Sequence, residues 1–258
     1  MAMVSTERRG AVAVLTLNNP EQLNALGPGV TEGLVAALDA ARDAGDVRAI
    51  VVTGAGRGFC SGAQFGGDTF SRGGGIGEAM RASINPVIAR MRASPIPVVT
   101  AVNGPAAGAG VGIALAGDIV VAARSARFIL SFARLGAALD GGTSLLLQRA
   151  IGVARARALA LLGEPLSAEL AAQWGLIWAC VDDAVLLDEA MVLAQRLADG
   201  PPVALRLIKR QLEAAWAADL PATLDHEADA QTEAFLTADL REGAAAFVEK
   251  RRPRFAGR

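Results

Sequence analysis

Asp140 is the one acid in the run Arg134-Leu-Gly-Ala-Ala-Leu-Asp-Gly-Gly-Thr-Ser144, between an apolar stretch and a glycine turn that opens a helical pattern. Two other glycine-rich turns, at 54–63 and 103–112, are candidates to bring backbone N–H groups to meet it. A carboxylate facing two such donors is equipment for moving a proton next to a carbonyl while its oxygen carries negative charge. The same residue also reads as a helix N-cap before Gly141 and Gly142, a common role for Asp. Residue types and spacing leave both readings open.

Other chemistries fit less well. Gly54, Gly56 and Gly58 follow a strand pattern, but a dinucleotide fingerprint needs its third glycine where Phe59 stands. Gly108, Gly110 and Gly112 fail likewise, with Ile113 in the required place. There is no phosphate-binding GxxxxGK[ST] and no GxSxG nucleophile elbow. The single histidine, His226, lies in a helical tail without a nucleophile motif. Asp225, His226, Glu227 and Asp229 point in different directions on a helix, so they read as an exposed face and no metal site is expected. Tyrosine is absent, which excludes tyrosine acid catalysis. Cys60 and Cys180 lack metal or CxxC spacing and read as free buried thiols of a reducing compartment.

The elements that must position these residues alternate. Strands are predicted at 4–6 and 11–17 around a hairpin, and a helix at 30–42. A β-branched strand at 49–53 ends at the first glycine turn, and a helix follows at 78–92. A second buried strand at 97–102 leads into a short helix at 106–116, then a third at 119–122. Beyond Thr143 the pattern is helical apart from a strand at 176–181. This order argues for an α/β fold with a helical C-terminal extension. The glycine-rich piece at 66–77 reads as a loop, either a surface connection or a flexible wall over a site.

At 258 residues the chain is long enough for a substantial core, and 52% hydrophobic with 20% charged residues reads as globular. A net charge of −1 gives no global attraction to nucleic acid or anionic membrane. The uncharged run 93–117 contains Pro95, Pro97 and Pro105, so strand, turn and helix are expected there and not a membrane span. The N-terminus lacks an apolar signal core, so a cytoplasmic location is expected.

Six stretches in order resemble the crotonase superfamily, the enoyl-coenzyme A hydratase/isomerase family. They are Asn19-Pro-Glu-Gln-Leu-Asn-Ala-Leu26, Ile50-Val-Val-Thr-Gly-Ala-Gly-Arg-Gly-Phe-Cys-Ser-Gly-Ala63, Pro97-Val-Val-Thr-Ala-Val-Asn-Gly104, and the runs 106–118, 136–152 and 237–255. The resemblance implies an α/β spiral of repeated ββα units over 1–198, then a helical region at 199–258 that joins subunits into trimers or hexamers. It implies an acyl-coenzyme A thioester as ligand, with no separate cofactor because coenzyme A enters with the substrate. It places an oxyanion hole at the backbone N–H groups of Ala63 and Ala109, the second at a helix start. Adenine and pantetheine contacts fall near Ala25, Leu26 and Ala63, and Gly108 precedes the second oxyanion residue in Gly108-Ala-Gly110. Gln64 replaces an aspartate common after the oxyanion alanine. Phe65, Phe70, Phe132 and Leu135 are candidates to line an acyl pocket or to be ordinary core.

Hydratases of the family carry two glutamates that position water and shuttle its proton. Their counterparts here are Gly112 and Phe132, neither of which takes a proton. Asp140 stands where several family isomerases carry a single acidic base. The resemblance therefore favours a Δ3-Δ2 enoyl-coenzyme A isomerase. The alternatives are a hydratase, lyase or hydrolase with an atypical site, or an acyl-coenzyme A binder without catalysis. The basic tail, with Lys250, Arg251, Arg252, Arg254 and Arg258, is expected against a neighbouring subunit or the coenzyme's phosphates, not on nucleic acid.

Overall fold

A computed structural model describes residues 2–27, 29–64 and 75–257. A hairpin of β1 (Val4–Arg9) and β2 (Val12–Leu17) opens the chain, turning at Gly10 with φ 61°. Helix α1 (Val30–Asp43) leads to β3 (Ala49–Gly54). Helices α2 (Ile76–Ala82) and α3 (Ile84–Ala93) precede β4 (Val98–Val102) and the two-residue β5 (Ala106–Ala107). Then come α4 (Ala109–Ala116), β6 (Ile119–Ala123), β7 (Arg127–Ile129) and α5 (Thr143–Leu162). After these lie β8 (Leu166–Ser167), α6 (Ala168–Gln173), β9 (Ala179–Val181) and α7 (Leu186–Ala198). Helices α8 (Pro202–Ala214), α9 (Leu220–Phe235) and α10 (Ala238–Glu249) complete the order.

One six-stranded sheet runs β1-β2-β3-β4-β6-β9, antiparallel only at the hairpin and parallel thereafter. A second sheet runs β5-β7-β8. The chain visits them in turn, large sheet at β4, small at β5, large at β6, small at β7, so each circuit adds a layer to both. An isolated bridge between Cys60 and Ala106 extends the small sheet backward by one layer. Strands β3 and β4 are buried along nearly their whole length, because layers cover both faces; they therefore read as continuous β-branched runs without alternation. The edge strand β1 is polar and mostly exposed, which discourages pairing with another chain.

Three expectations need correction. The helix predicted over 78–92 is two helices broken at Ser83. Pro86 has no N–H for the carbonyl four residues back, and its ring would strike that carbonyl. The helix predicted from Ala106 begins only at Ala109, because Ala106 and Ala107 pair with Phe128 and Ile129 and Gly108 takes the non-helical φ 53°, ψ −125°. The strand predicted over 176–181 is the three residues of β9, while β7 and β8 were not expected at all.

The uncharged run folds into the end of α3, β4, β5 and α4, and no described helix is long and apolar enough to cross a membrane. Cys60 is buried, but Cys180 is only half-buried; both are free. The C-terminal helices bury little: Leu207 in α8, Ala230 in α9, Asp239 and Ala246 in α10. The end of the basic tail is tied to its own chain. Asp239 accepts the N–H groups of Ala256 (2.7 Å) and Gly257 (2.9 Å), and Arg48 donates to the Phe255 carbonyl at 3.0 Å.

Candidate active site

The first wall grows from the end of β3. Gly54 lies so close to Gly58 and Asn24 that a Cβ there would be 2.5 Å from the Gly58 carbonyl oxygen. Asn24, fully buried with φ 57°, donates to the carbonyls of Ala55 (3.0 Å) and Gly58 (2.8 Å). Asn103 accepts the Gly54 N–H at 3.1 Å and donates to the Gly56 carbonyl at 2.9 Å. Two asparagines thus supply the partners that a buried turn cannot find in water. Beyond the turn, Gly62 has φ 84°, and its carbonyl accepts the Leu26 N–H at 2.8 Å. The bridge between Leu26 and Ala63 brings the predicted thioester-binding stretch beside the first predicted oxyanion donor.

The second wall is the start of α4. A Cβ on Gly62 would lie 3.5 Å from the Ala109 nitrogen and 2.6 Å from the Ala107 carbonyl oxygen, so the two glycine turns touch. Ala109 is the first residue of α4, where an N–H has no intrahelical acceptor and the helix dipole favours negative charge. Among the described residues neither the Ala63 nor the Ala109 N–H donates to a backbone carbonyl. The Phe132 ring is buried, with its edge 3.7 Å from where a Gly108 Cβ would stand, so it is both core and neighbour of the site.

The third wall carries Asp140. Its backbone carbonyl accepts both the N–H (3.0 Å) and the hydroxyl (2.7 Å) of Thr143, and Gly142 is the N-cap of α5. The Asp140 side chain makes no cap hydrogen bond. Its Oδ1 is buried with no hydrogen-bond partner, and burial pushes the carboxyl up to about 6. An acid held near neutrality can both take and return a proton at working pH. The neighbouring Gly141 lies against Ala109: a Cβ on Gly141 would stand 3.3 Å from the Ala109 Cα. Gly62–Ala63, Ala109 and the Asp140 turn therefore converge on one place.

The remaining candidates divide. Ala25 is buried and Leu26 half-buried beside Ala63, while Gln64 is exposed and folds over Gly27. Leu135 is 60% exposed on a single helical turn (Ala133–Leu135). Phe65, Phe70 and residues 66–74 of the glycine-rich loop lie outside the described residues. Gly112, which the resemblance sets against a hydratase glutamate, has no room for a side chain in this packing: its Cβ would stand 2.1 Å from the Gly141 carbonyl oxygen. Burial pushes the Cys60 thiol up to about 12, which leaves it inert as a nucleophile.

A cavity of about 540 Å³ lies elsewhere, near the start of β6, lined among others by Arg92, Asp118, Arg149 and Trp216. It includes none of Ala63, Ala109 and Asp140 and belongs to the seam with the C-terminal helices. Asn24 and Asn103 were not singled out from the sequence, although an Asn within or beside a glycine turn is a recognisable signal. Among the described residues no three His, Cys, Asp or Glu side chains gather as a metal site.

A family model described as enoyl-CoA hydratase/isomerase matches residues 7–258. The chain is 43% identical to the 1,2-epoxyphenylacetyl-CoA isomerase of Escherichia coli strain K12, covering 100% of both. It is 44% identical to a Rhodobacter capsulatus protein named "Probable enoyl-CoA hydratase", over 96% of this chain and 95% of that one. A crystal structure from Mycobacterium abscessus, described as an enoyl-CoA hydratase/isomerase, superposes with a TM-score of 0.94 at 36% identity, covering 99% of this chain and 100% of that one.

Proposed function

This chain belongs to the enoyl-CoA hydratase/isomerase family and has its crotonase fold, and from that premise we propose that it isomerises acyl-coenzyme A thioesters with Asp140 as its single acid/base. In the first reading it moves a double bond from position 3 to position 2. The Asp140 carboxylate takes a proton from C2 of a 3-enoyl thioester. The electron pair moves into the carbonyl, whose oxygen rests between the N–H groups of Ala63 and Ala109. The same carboxylic acid returns its proton at C4, and the double bond settles between C2 and C3. Hydrogen bonds that strengthen as the oxygen gains charge lower the barrier selectively; one such donor contributes a factor of about 10²–10³ elsewhere. Coenzyme A arrives with the substrate, so the scheme needs no further cofactor.

The observation that carries this reading is the buried, unpartnered Asp140 Oδ1 in the turn whose next residue, Gly141, packs on Ala109, together with the filled space at Gly112. Hydration needs a second group to handle water, and neither Gly112 nor Phe132 supplies one. A second reading rests on the E. coli relative, named for isomerising an epoxide of a phenylacetyl thioester. The C2 hydrogens of such a thioester flank both carbonyl and ring, so the same base and the same hole suit its activation. A panel of 2-enoyl, 3-enoyl and ring-epoxidised phenylacetyl thioesters separates the cases. Turnover of 3-enoyl thioesters supports the first reading and turnover of the epoxide alone the second. Hydration of 2-enoyl thioesters alone, or binding without turnover, removes both.

The same proposal places residues 1–198 as the thioester-binding spiral and 199–258 as the region that joins subunits into trimers or paired trimers. The exposed apolar side chains of Ile208, Leu212 and Trp216 support that assembly.

A further inference from the structure

Helix α4 is wedged between two walls of the site, and two glycines set the fit. All eight residues of α4 are buried. Gly110 and Gly112 stand two residues apart, about 200° around the helix, and so face nearly opposite ways. On one side a Gly110 Cβ would stand 2.3 Å from the carbonyl oxygen of Cys60, in the segment that leads to Ala63. On the other, a Gly112 Cβ would stand 2.1 Å from the carbonyl oxygen of Gly141, the residue after Asp140. Backbone touches backbone at both places, so neither contact is relieved by turning a side chain.

The geometry points to Gly112 as a positioning residue that sets where the Asp140 carboxyl stands relative to the Ala109 N–H, by letting α4 pack directly on the Gly141 carbonyl. The inference rests on the reading of Asp140 as the proton carrier and adds what places it. The Asp140 turn is anchored on its other side, where the Asp140 carbonyl holds the N–H and hydroxyl of the fully buried Thr143. Gly141 and Gly142 are both left-handed, at φ 56° and 76°. A side chain at 112 must therefore push the turn by roughly 1 Å to reach ordinary contact distance, and the turn carries Asp140 with it. A side chain at 112 and the present Asp140 turn compete for one space. In consequence, Gly112→Glu cannot add a second acid while leaving the first in place.

The test uses the full-length protein with 3-hexenoyl-coenzyme A as probe, following isomerisation and deuterium exchange at C2. Gly112→Ala is expected to bind the thioester with KM within several-fold, while kcat and C2 exchange both fall about 10²-fold, the typical cost of ~1 Å of misplacement. The acid limb of its pH profile is expected to move down toward the ordinary carboxylate range as the carboxyl leaves its buried place. A second variant inserts one glycine between Asp140 and Gly141, which displaces the carboxyl without adding a Cβ; it is expected to lose kcat in the same way. If Gly112→Ala fails to fold, that insertion decides the matter alone. A folded Gly112→Ala with wild-type kcat and pH profile overturns the inference, as does an insertion variant of full activity. Equal losses in kcat and in thioester affinity with an unmoved acid limb also overturn it, since general damage would do the same. Asp140→Asn run alongside separates the premises: an inactive Asp140→Asn beside an active Gly112→Ala refutes positioning alone, whereas an active Asp140→Asn refutes the proton carrier itself.

Discussion

Asp118 and Lys209 meet at 2.7 Å across the seam between the large sheet and α8. The same Asp118 Oδ2 accepts the Val98 N–H at 2.7 Å, which ties the start of β4 to the residue before β6. Both side chains are largely withdrawn from water, at 20% and 12% exposure. Burial pulls the Lys209 ammonium below the usual lysine range, and Asp118 opposes that pull by favouring the charged form. Arg92 and Arg149 extend the seam by sharing Glu213, and Arg149 stacks 4.5 Å from the Trp216 ring. The C-terminal helices are therefore held to the spiral partly by paired charges, where the spiral itself is held by apolar layers.

Breaking that pair from the acid side leaves a cation in a poorly hydrated place. Asp118→Asn is expected to cost about 2–4 kcal/mol. Lys209→Met is expected to cost less, because Asp118 keeps its bond to Val98 and Met fills most of the lysine stem's volume. In the double variant most of the Asp118→Asn loss should return. Urea unfolding of the four proteins measures the cycle, and an Asp118→Asn midpoint matching wild type would show that the pair contributes nothing.

The pH profile follows from Asp140. Its ionised form is the base, so kcat/KM should fall as pH drops through about 6, by roughly tenfold per unit on the acid side. Asp140→Asn keeps the size but cannot take up the proton, and should lose about 10²–10⁴ in rate together with that limb. Thioester affinity should change by no more than several-fold. Steady-state profiles and C2 deuterium exchange read both quantities; exchange at wild-type rate in Asp140→Asn would return Asp140 to a structural role.

The same carboxyl makes stability depend on pH, and the sign is fixed by the direction of its shift. The carboxyl is raised from 3.8 to about 6 by burial, so the folded state favours its protonated form. Its contribution is fully present below pH 4 and is lost as pH rises through about 6. Asp140→Asn, which carries no charge at any pH, should therefore be more stable than wild type at pH 8. A gain of about 1–2 kcal/mol is expected after allowing for the carboxyl's partial contact with solvent. The gain should vanish near pH 4. Thermal melts at both pH values would contradict the buried carboxyl if the difference between the proteins stayed constant.

Assembly should depend on the apolar side chains that the isolated chain leaves uncovered. Ile208 is 49% exposed, Leu212 65% and Trp216 54%, and Phe247 and Val248 in α10 are exposed as well. A trimer or a dimer of trimers is expected at micromolar concentration, and Leu212→Glu should shift it toward smaller species by placing a charge in the interface. Light scattering that finds a wild-type monomer at that concentration would remove the proposed role of the C-terminal helices.

The sequence by itself carried the places along the chain of the main large-sheet strands, because β-branched runs ending in glycine turns leave few alternatives, while their order in the sheet came from the tertiary structure. It drew attention to Asp140 as a lone acid before two glycines, whereas Ala63 and Ala109 were named only through the family resemblance of their motifs. It did not reveal β5, β7 or β8. Strands of two or three residues exist only through partners brought from other layers, such as Phe128 for Ala106 and Leu166 for Phe128. The break at Ser83 has a local signal in Pro86, which the reading of 78–92 as one helix did not take into account. The role of Asp140 was undecided in one dimension, since an acid before two glycines serves equally as cap or as base. Tertiary structure resolved the geometry: Gly142 caps α5, and the Asp140 Oδ1 is buried without a hydrogen-bond partner. The absence of a second acid at Gly112 looked like a substitution in the sequence. In three dimensions that position is filled by the Gly141 carbonyl, a contact between residues 29 positions apart in the chain that no local pattern encodes.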